Sequence, residues 1–227
     1  MLNRHIHETH LRRLLALIYT DRRLQTELAF KGGTALYMFY GLDRFSTDLD
    51  FNCLGEKIDL EAMNEVIKDY EIQDHYEKYH TWFWLLSYQK SQMKVKIEVS
   101  KRDYPDTYEI KDLLGIPVKV MTKDCMFAHK LCAITDRKRL QNRDLYDTYF
   151  MLTRGFEIKE EIIKIRTGKS TKEYLEFLLE FIPKHTSAGH ILDGLGEVLD
   201  EKQKIWVKNN LIQFLLLEIQ NRLLEIK

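Results

Sequence analysis

Asp48 and Asp50 stand one residue apart in the stretch TDLDF, and a glycine pair, Gly32 and Gly33, precedes them by a short helix's length. Polar and apolar residues alternate through TDLDFNC, which predicts a strand with both carboxylates on one face and Leu49 and Phe51 on the other. Two neighbouring carboxylates repel, and a hard divalent cation relieves them. Mg²⁺ suits the pair because it takes one or two protein carboxylates together with phosphate oxygens and water. The glycines let backbone amides come close to a phosphate, and Thr34 adds a hydroxyl where the helix TALYMFYG begins. Arg44 and Ser46, just upstream of the aspartates, supply further donors for phosphate oxygens.

A third carboxylate would complete a two-metal site, and Glu98 is the best candidate. In KVKIEVSK, Lys94, Lys96, Glu98 and Ser100 share one strand face while Val95, Ile97 and Val99 share the other. The bland readings stand beside the sharp ones. Gly-Gly is commonly a turn, Asp-x-Asp on a strand is commonly a solvated face, and Glu98 among lysines is an ordinary charge pattern.

The elements that must position these residues follow from periodicity. Leu11, Leu14, Leu15, Ile18, Leu24 and Leu28 recur at helical spacing, predicting one or two amphipathic helices over 8–29. Ile58, Leu60, Met63, Val66 and Ile67 predict a helix over 57–70, and WFWLLSY reads as a buried strand that assigns Trp82 and Trp84 to the core. Gly115 and Pro117 punctuate the chain, after which helices are expected at 122–137, 141–153, 157–165, 171–182 and 201–226. The expected architecture is α+β: a lobe over 1–118 with a small mixed sheet, a helical lobe over 119–227, and the site in the cleft where they meet.

Thirty-five basic residues balance thirty-five acidic ones, so any nucleic-acid contact must use a local patch. The most basic stretch, 119–143, contains Arg137, Lys138, Arg139 and Arg143, which could dock nucleic-acid phosphates or simply complement helix ends. Cys53, Cys125 and Cys132 are too scattered for a disulfide framework or a zinc knuckle, which suggests a reducing, cytoplasmic setting. No apolar run is long enough for a membrane span, and the first residues lack a cleavage signal, so a protein neither exported nor membrane-spanning is expected. His5, His7 and His10 in HIHETH read as a frayed terminus rather than a metal site.

In combination these motifs resemble those of the AbiEii/AbiGii toxin family, a branch of the nucleotidyltransferase superfamily typified by DNA polymerase beta. The glycine–Thr/Ser motif, Arg-x-Ser and Asp-x-Asp correspond to Gly32, Gly33, Thr34, Arg44, Ser46, Asp48 and Asp50. The segment KDCMFAHKLCAITDRKRLQNRDLYDTYFML is similar to the family's last motif, with Lys130, Arg137, Lys138, Arg143, Asp144 and Asp147 in its places. The resemblance covers about 28–152. It implies a minimal nucleotidyltransferase fold, Mg²⁺ on Asp48 and Asp50 with Glu98 as third acid, and Lys130 on the triphosphate. Asp144 or Asp147 would position Lys130 or activate the acceptor. It further implies an NTP substrate, the tRNA 3′ end as an acceptor in some members, and a separately encoded DNA-binding antitoxin of the AbiEi type. A small-molecule nucleotidyltransferase of the aminoglycoside-modifying kind and a non-catalytic NTP- or partner-binding module are the alternatives.

Overall fold

The apolar stripe of the first segment winds into α1 (Arg4–Thr20), with Leu11, Leu14, Leu15 and Ile18 fully buried. Asn3 caps its start, accepting the Ile6 amide at 3.2 Å. The structure, a computed structural model, describes residues 3–88, 94–137 and 139–226. After α1 come α2 (Leu24–Glu27), β1 (Leu28–Lys31), α3 (Gly32–Tyr40), β2 (Asp48–Cys53), α4 (Leu60–Ile67), β3 (Glu71–Lys78), β4 (Thr81–Ser87), β5 (Lys94–Ser100), β6 (Tyr108–Leu113) and β7 (Ile116–Met121). The helices α5 (Lys123–Asp136), α6 (Asn142–Thr153), α7 (Glu160–Thr167), α8 (Thr171–His185) and α9 (Glu201–Glu225) complete the chain. The protein is α+β, as its sequence predicts.

The strands form one mixed sheet in the order β3-β4-β5-β2-β1-β7-β6. One face presents Leu49, Phe51, Trp82, Trp84, Val95, Ile97 and Val99, all buried, and α1 packs on β2, β5, β7 and α4. The opposite face is polar in its middle, because β2 and β5 run parallel with Asp48 opposite Lys96 and Asp50 opposite Glu98. Tyr19 fastens α1 to this sheet: its hydroxyl donates to the Lys119 carbonyl at 2.8 Å, lies 3.2 Å from the Leu28 carbonyl and accepts the Phe30 amide.

Several elements depart from the periodicity. The helical pattern expected as far as residue 29 gives way to β1, an inner strand whose Leu28, Ala29 and Phe30 are all buried, so no alternation marks it. β3 is an edge strand exposed along nearly its whole length, which hides it in the same way. β6 and β7 form a hairpin across Leu114 and Gly115, with φ of 54° and 87°. Compact units span Met1–Thr122 and Lys123–Lys227, so the division falls after Thr122 rather than at 118/119, because β7 pairs with β1 as part of the sheet.

The amino-terminal histidines also differ from the expected frayed end. His7 lies on α1 at 1% exposure, with Nε2 2.9 Å from the Thr47 carbonyl and Nδ1 2.7 Å from the Tyr88 hydroxyl. A carbonyl can only accept, so Nε2 carries the proton and Nδ1 accepts from Tyr88.

In the second unit, α6 packs on α5 and α9, and α7 on α5 and α8. Capping boxes start α8, from Ser170 and Glu173, and α9, from Asp200 and Gln203. Cys125 and Cys132 are buried on α5, and burial pushes the Cys132 thiol up to about 12. Among the described residues no helix is long and apolar enough to cross a membrane.

Candidate active site

The turn from β1 into α3 places the glycines against the carboxylates. Gly32 has φ +80°, and a Cβ there would lie 3.0 Å from Asp50 Cβ and Cγ and closer still to its Oδ2. Only glycine combines that backbone with that approach. A Cβ on Gly33 would meet Ser46 Oγ at 2.9 Å and Arg44 Nη2 at 3.1 Å. The Thr34 hydroxyl donates to the Asp48 carbonyl, so the first turn of α3 is tied to β2.

Arg44 is 2% exposed, Ser46 7% and Thr34 0%, and the Arg44 guanidinium donates to the Phe45 carbonyl at 2.9 Å. These three side chains, expected to hold phosphate oxygens, lie beneath the glycine turn and support it from inside. Gly32 and the carboxylates Asp48 and Asp50 form the more accessible layer, with Gly33 buried behind them. His7 reaches the same segment from the other side of β2, through the backbone beside Asp48.

One cation stands among the acids. Lys96 Nζ lies 3.3 Å from Asp48 Oδ2 and 3.7 Å from Glu98 Oε2, and Lys31 stands opposite Asp50 across β1 and β2. Burial raises the Asp50 carboxyl above its ordinary value; Lys96 and Lys31 oppose the rise, while Asp48 and Glu98 add to it. Burial works against the Lys96 ammonium, but Asp50, Asp48 and Glu98 outweigh it and leave its pKa raised.

The three expected metal-binding acids therefore share one sheet face, but among the described residues no three His, Cys, Asp or Glu side chains converge as a cage for an ion. Lys96 sits where Asp48 and Glu98 would otherwise meet. The residues still fit Mg²⁺. Asp48 and Asp50 are hard oxygen donors held side by side, the number such an ion takes from protein when phosphates supply the rest, and the lysine shows that a cation is stable there.

The last motif forms a second cluster, within the helical unit. Asp144 and Asp147, at i and i+3 on α6, project from one face toward α5. Lys130 Nζ lies 3.0 Å from Asp144 Oδ1 and 2.8 Å from Asp147 Oδ2, while Arg137 Nε lies 3.2 Å from Asp144 Oδ2. Asp147 is fully buried, and 17% of the Lys130 side chain is exposed. Both aspartates pair with Lys130. Of the basic stretch, Arg137 is bound to Asp144, Arg139 pairs with Asp193 at 3.3 Å, Arg143 runs close to Gly194, and Lys138 lies outside the described residues.

Lys96, His7 and Lys31 went unrecognised in the sequence. Lys96 had a signal, its shared face with Glu98, which becomes specific only once the parallel register puts it opposite Asp48. His7 had none, since its partners Thr47 and Tyr88 lie far along the chain.

A family model described as nucleotidyl transferase AbiEii toxin, type IV TA system, matches residues 13–207. No curated protein matches the chain. Among solved structures, JHP933 from Helicobacter pylori superposes with a TM-score of 0.59 and 21% identity, over 100% of this chain and 97% of that one. MenT4, a nucleotidyltransferase toxin from Mycobacterium tuberculosis, does so with a TM-score of 0.54 and 18% identity, over 99% and 93%. A further Helicobacter pylori protein, assigned to the nucleotidyltransferases, gives 0.64 and 23%, over 100% and 99%. At these identities the likeness is one of fold.

Proposed function

Because the chain belongs to the AbiEii nucleotidyltransferase toxins, we propose that it uses Mg²⁺ at Asp48 and Asp50 to transfer a nucleotide from an NTP to the 3′ end of tRNA. We further propose that a separately encoded antitoxin restrains it, as a type IV toxin–antitoxin family implies. The observation that carries the reading is the packing of Gly32 on Asp50, which brings backbone amides at the start of a helix beside a carboxylate pair.

In this reading the amides of Gly32 and Gly33 hold the NTP phosphates, and Thr34, Arg44 and Ser46 fix the turn that carries them. Asp48 and Asp50 are the metal-binding acids, and Glu98 governs their electrostatics through Lys96. When bound, Mg²⁺ would neutralise charge on the triphosphate and the departing pyrophosphate. Lys130 presents its ammonium to the triphosphate while Asp144 and Asp147 hold it in place. Positioning and charge neutralisation are what phosphoryl transfer chiefly needs. Arg137, Lys138, Arg139 and Arg143 are assigned to the acceptor's phosphates, so transfer to tRNA should fall steeply with salt.

Incubation with total tRNA, Mg²⁺ and each α-³²P-labelled NTP in turn, beside an Asp50→Ala control, tests this. Label on tRNA from one NTP, absent in the control, supports it. Label that appears only on a small-molecule acceptor, or the absence of pyrophosphate release with any acceptor, overturns it. Expression of the wild type should slow bacterial growth and expression of Asp48→Ala should not; equal effects would remove the toxin assignment.

A further inference from the structure

Lys96 is the residue whose placement asks most for a function. Its ammonium lies 3.3 Å from Asp48 Oδ2 and 3.7 Å from Glu98 Oε2, bridging the acid on β2 and the acid on β5. That position is fixed by the backbone, because the parallel register sets Lys96 directly opposite Asp48 and Glu98 directly opposite Asp50. It is also partly covered, with 31% of the side chain exposed. Exposed pairs of long side chains sample many geometries, whereas this one is held among three carboxylates on a sheet face.

A divalent ion bridging Asp48 and Glu98 would need their oxygens at about 2.0–2.1 Å, around a point Lys96 Nζ already crowds. The two cations cannot share it. Asp48 and Asp50, beside the glycine turn, remain as the carboxylates a metal would take.

We propose that Lys96 is a tethered cation occupying the second metal position of this site, so that the protein works with a single divalent ion rather than two. The proposal rests on the nucleotidyltransferase reading of Asp48 and Asp50. It gives Glu98 a defined part: it holds the lysine rather than the ion. It also explains how three carboxylates share one face without forming a three-ligand cage.

The test counts metal ions. Mn²⁺ is titrated into the protein in the presence of the α,β-methylene analogues of ATP, GTP, CTP and UTP in turn, and bound Mn²⁺ is followed by electron paramagnetic resonance. Wild type is expected to bind one Mn²⁺ with an uncoupled spectrum. Lys96→Met is expected to bind two, exchange-coupled because paired ions in such sites lie about 3.5–4 Å apart. Lys96→Met with Glu98→Gln should return to one. A coupled pair in wild type, or a single ion in a folded Lys96→Met protein, overturns the proposal. The wild-type count needs no variant, so a misfolded substitution leaves the test intact. A wild type that binds neither Mn²⁺ nor any analogue would instead overturn the nucleotidyltransferase reading, and the proposal with it.

Discussion

Removing one acid from the Lys130 cluster should cost far more than a surface ion pair is worth. Asp147 is fully buried and Lys130 largely so, and breaking a buried pair by deleting one partner costs about 3–5 kcal/mol. In Asp147→Ala the lysine keeps Asp144 at 3.0 Å, which argues for the lower end, about 3 kcal/mol. In Lys130→Met two buried carboxylates lose the ammonium they share, which argues for the upper end, about 5 kcal/mol. At about 2–4 °C per kcal/mol for a chain of this length, Asp147→Ala should melt about 6–12 °C lower. Melting followed by circular dichroism gives the shift, and the double variant completes a cycle. Its total should fall short of the sum of the single losses by about 1.5–3 kcal/mol. A loss under about 1 kcal/mol in either single variant would mean the cluster behaves as an exposed pair, refuting the view that both aspartates hold Lys130.

Three further outcomes follow from the same geometry. Asp50→Asn should abolish transfer yet raise the melting temperature at neutral pH: the native carboxyl titrates above its unfolded value, so its charged form destabilises the fold at high pH. That gain should vanish as the buffer approaches pH 3.8, and a variant no more stable than wild type at pH 7.5 would contradict it. Burial holds the His7 imidazole below 6.5, so its contribution is complete above that pH and is lost as pH falls through the lower folded value. His7→Gln should therefore flatten the dependence of stability on pH between about 7 and 5; an unchanged slope in urea titrations would assign it elsewhere. Gly41 and Gly32 both have left-handed φ, but only Gly32 faces a neighbour, so Gly41→Ala should cost about 1–2 kcal/mol and keep transfer. Gly32→Ala should cost more and lose transfer, and equal activity in the two would undo the role given to the turn.

The elements legible in the sequence were those with one buried and one solvated face. β2 and β5 alternate, and α5 through α9 repeat at helical spacing. The illegible ones lack that contrast. β1 is buried on both faces, β3 is exposed on both, and the β6–β7 hairpin turns through Leu114, a residue rarely found with positive φ. Their pairing is decided by neighbours remote in the chain, which no local pattern records.

The site shows the same division between residue type and pairing. Asp48, Asp50 and Gly32 could be singled out because their types and spacing suit the proposed chemistry, and Lys130 because it falls in the family's last motif. What they do to one another is a matter of register: the parallel alignment of β2 and β5 turns Lys96 from one lysine on a charged strand face into the cation between two of the three acids. The helical spacing of Asp144 and Asp147 likewise puts both on one lysine. In each cluster an ammonium is held by two carboxylates, but the surroundings differ. The pair on Lys130 is largely buried, whereas Asp48 and Glu98 remain partly exposed, with Asp50 beside them raised in pKa chiefly by its own burial. A carboxylate that burial holds above its ordinary value is one whose charged form a further cation would stabilise, and this is the physical ground for proposing metal and nucleotide chemistry on the sheet.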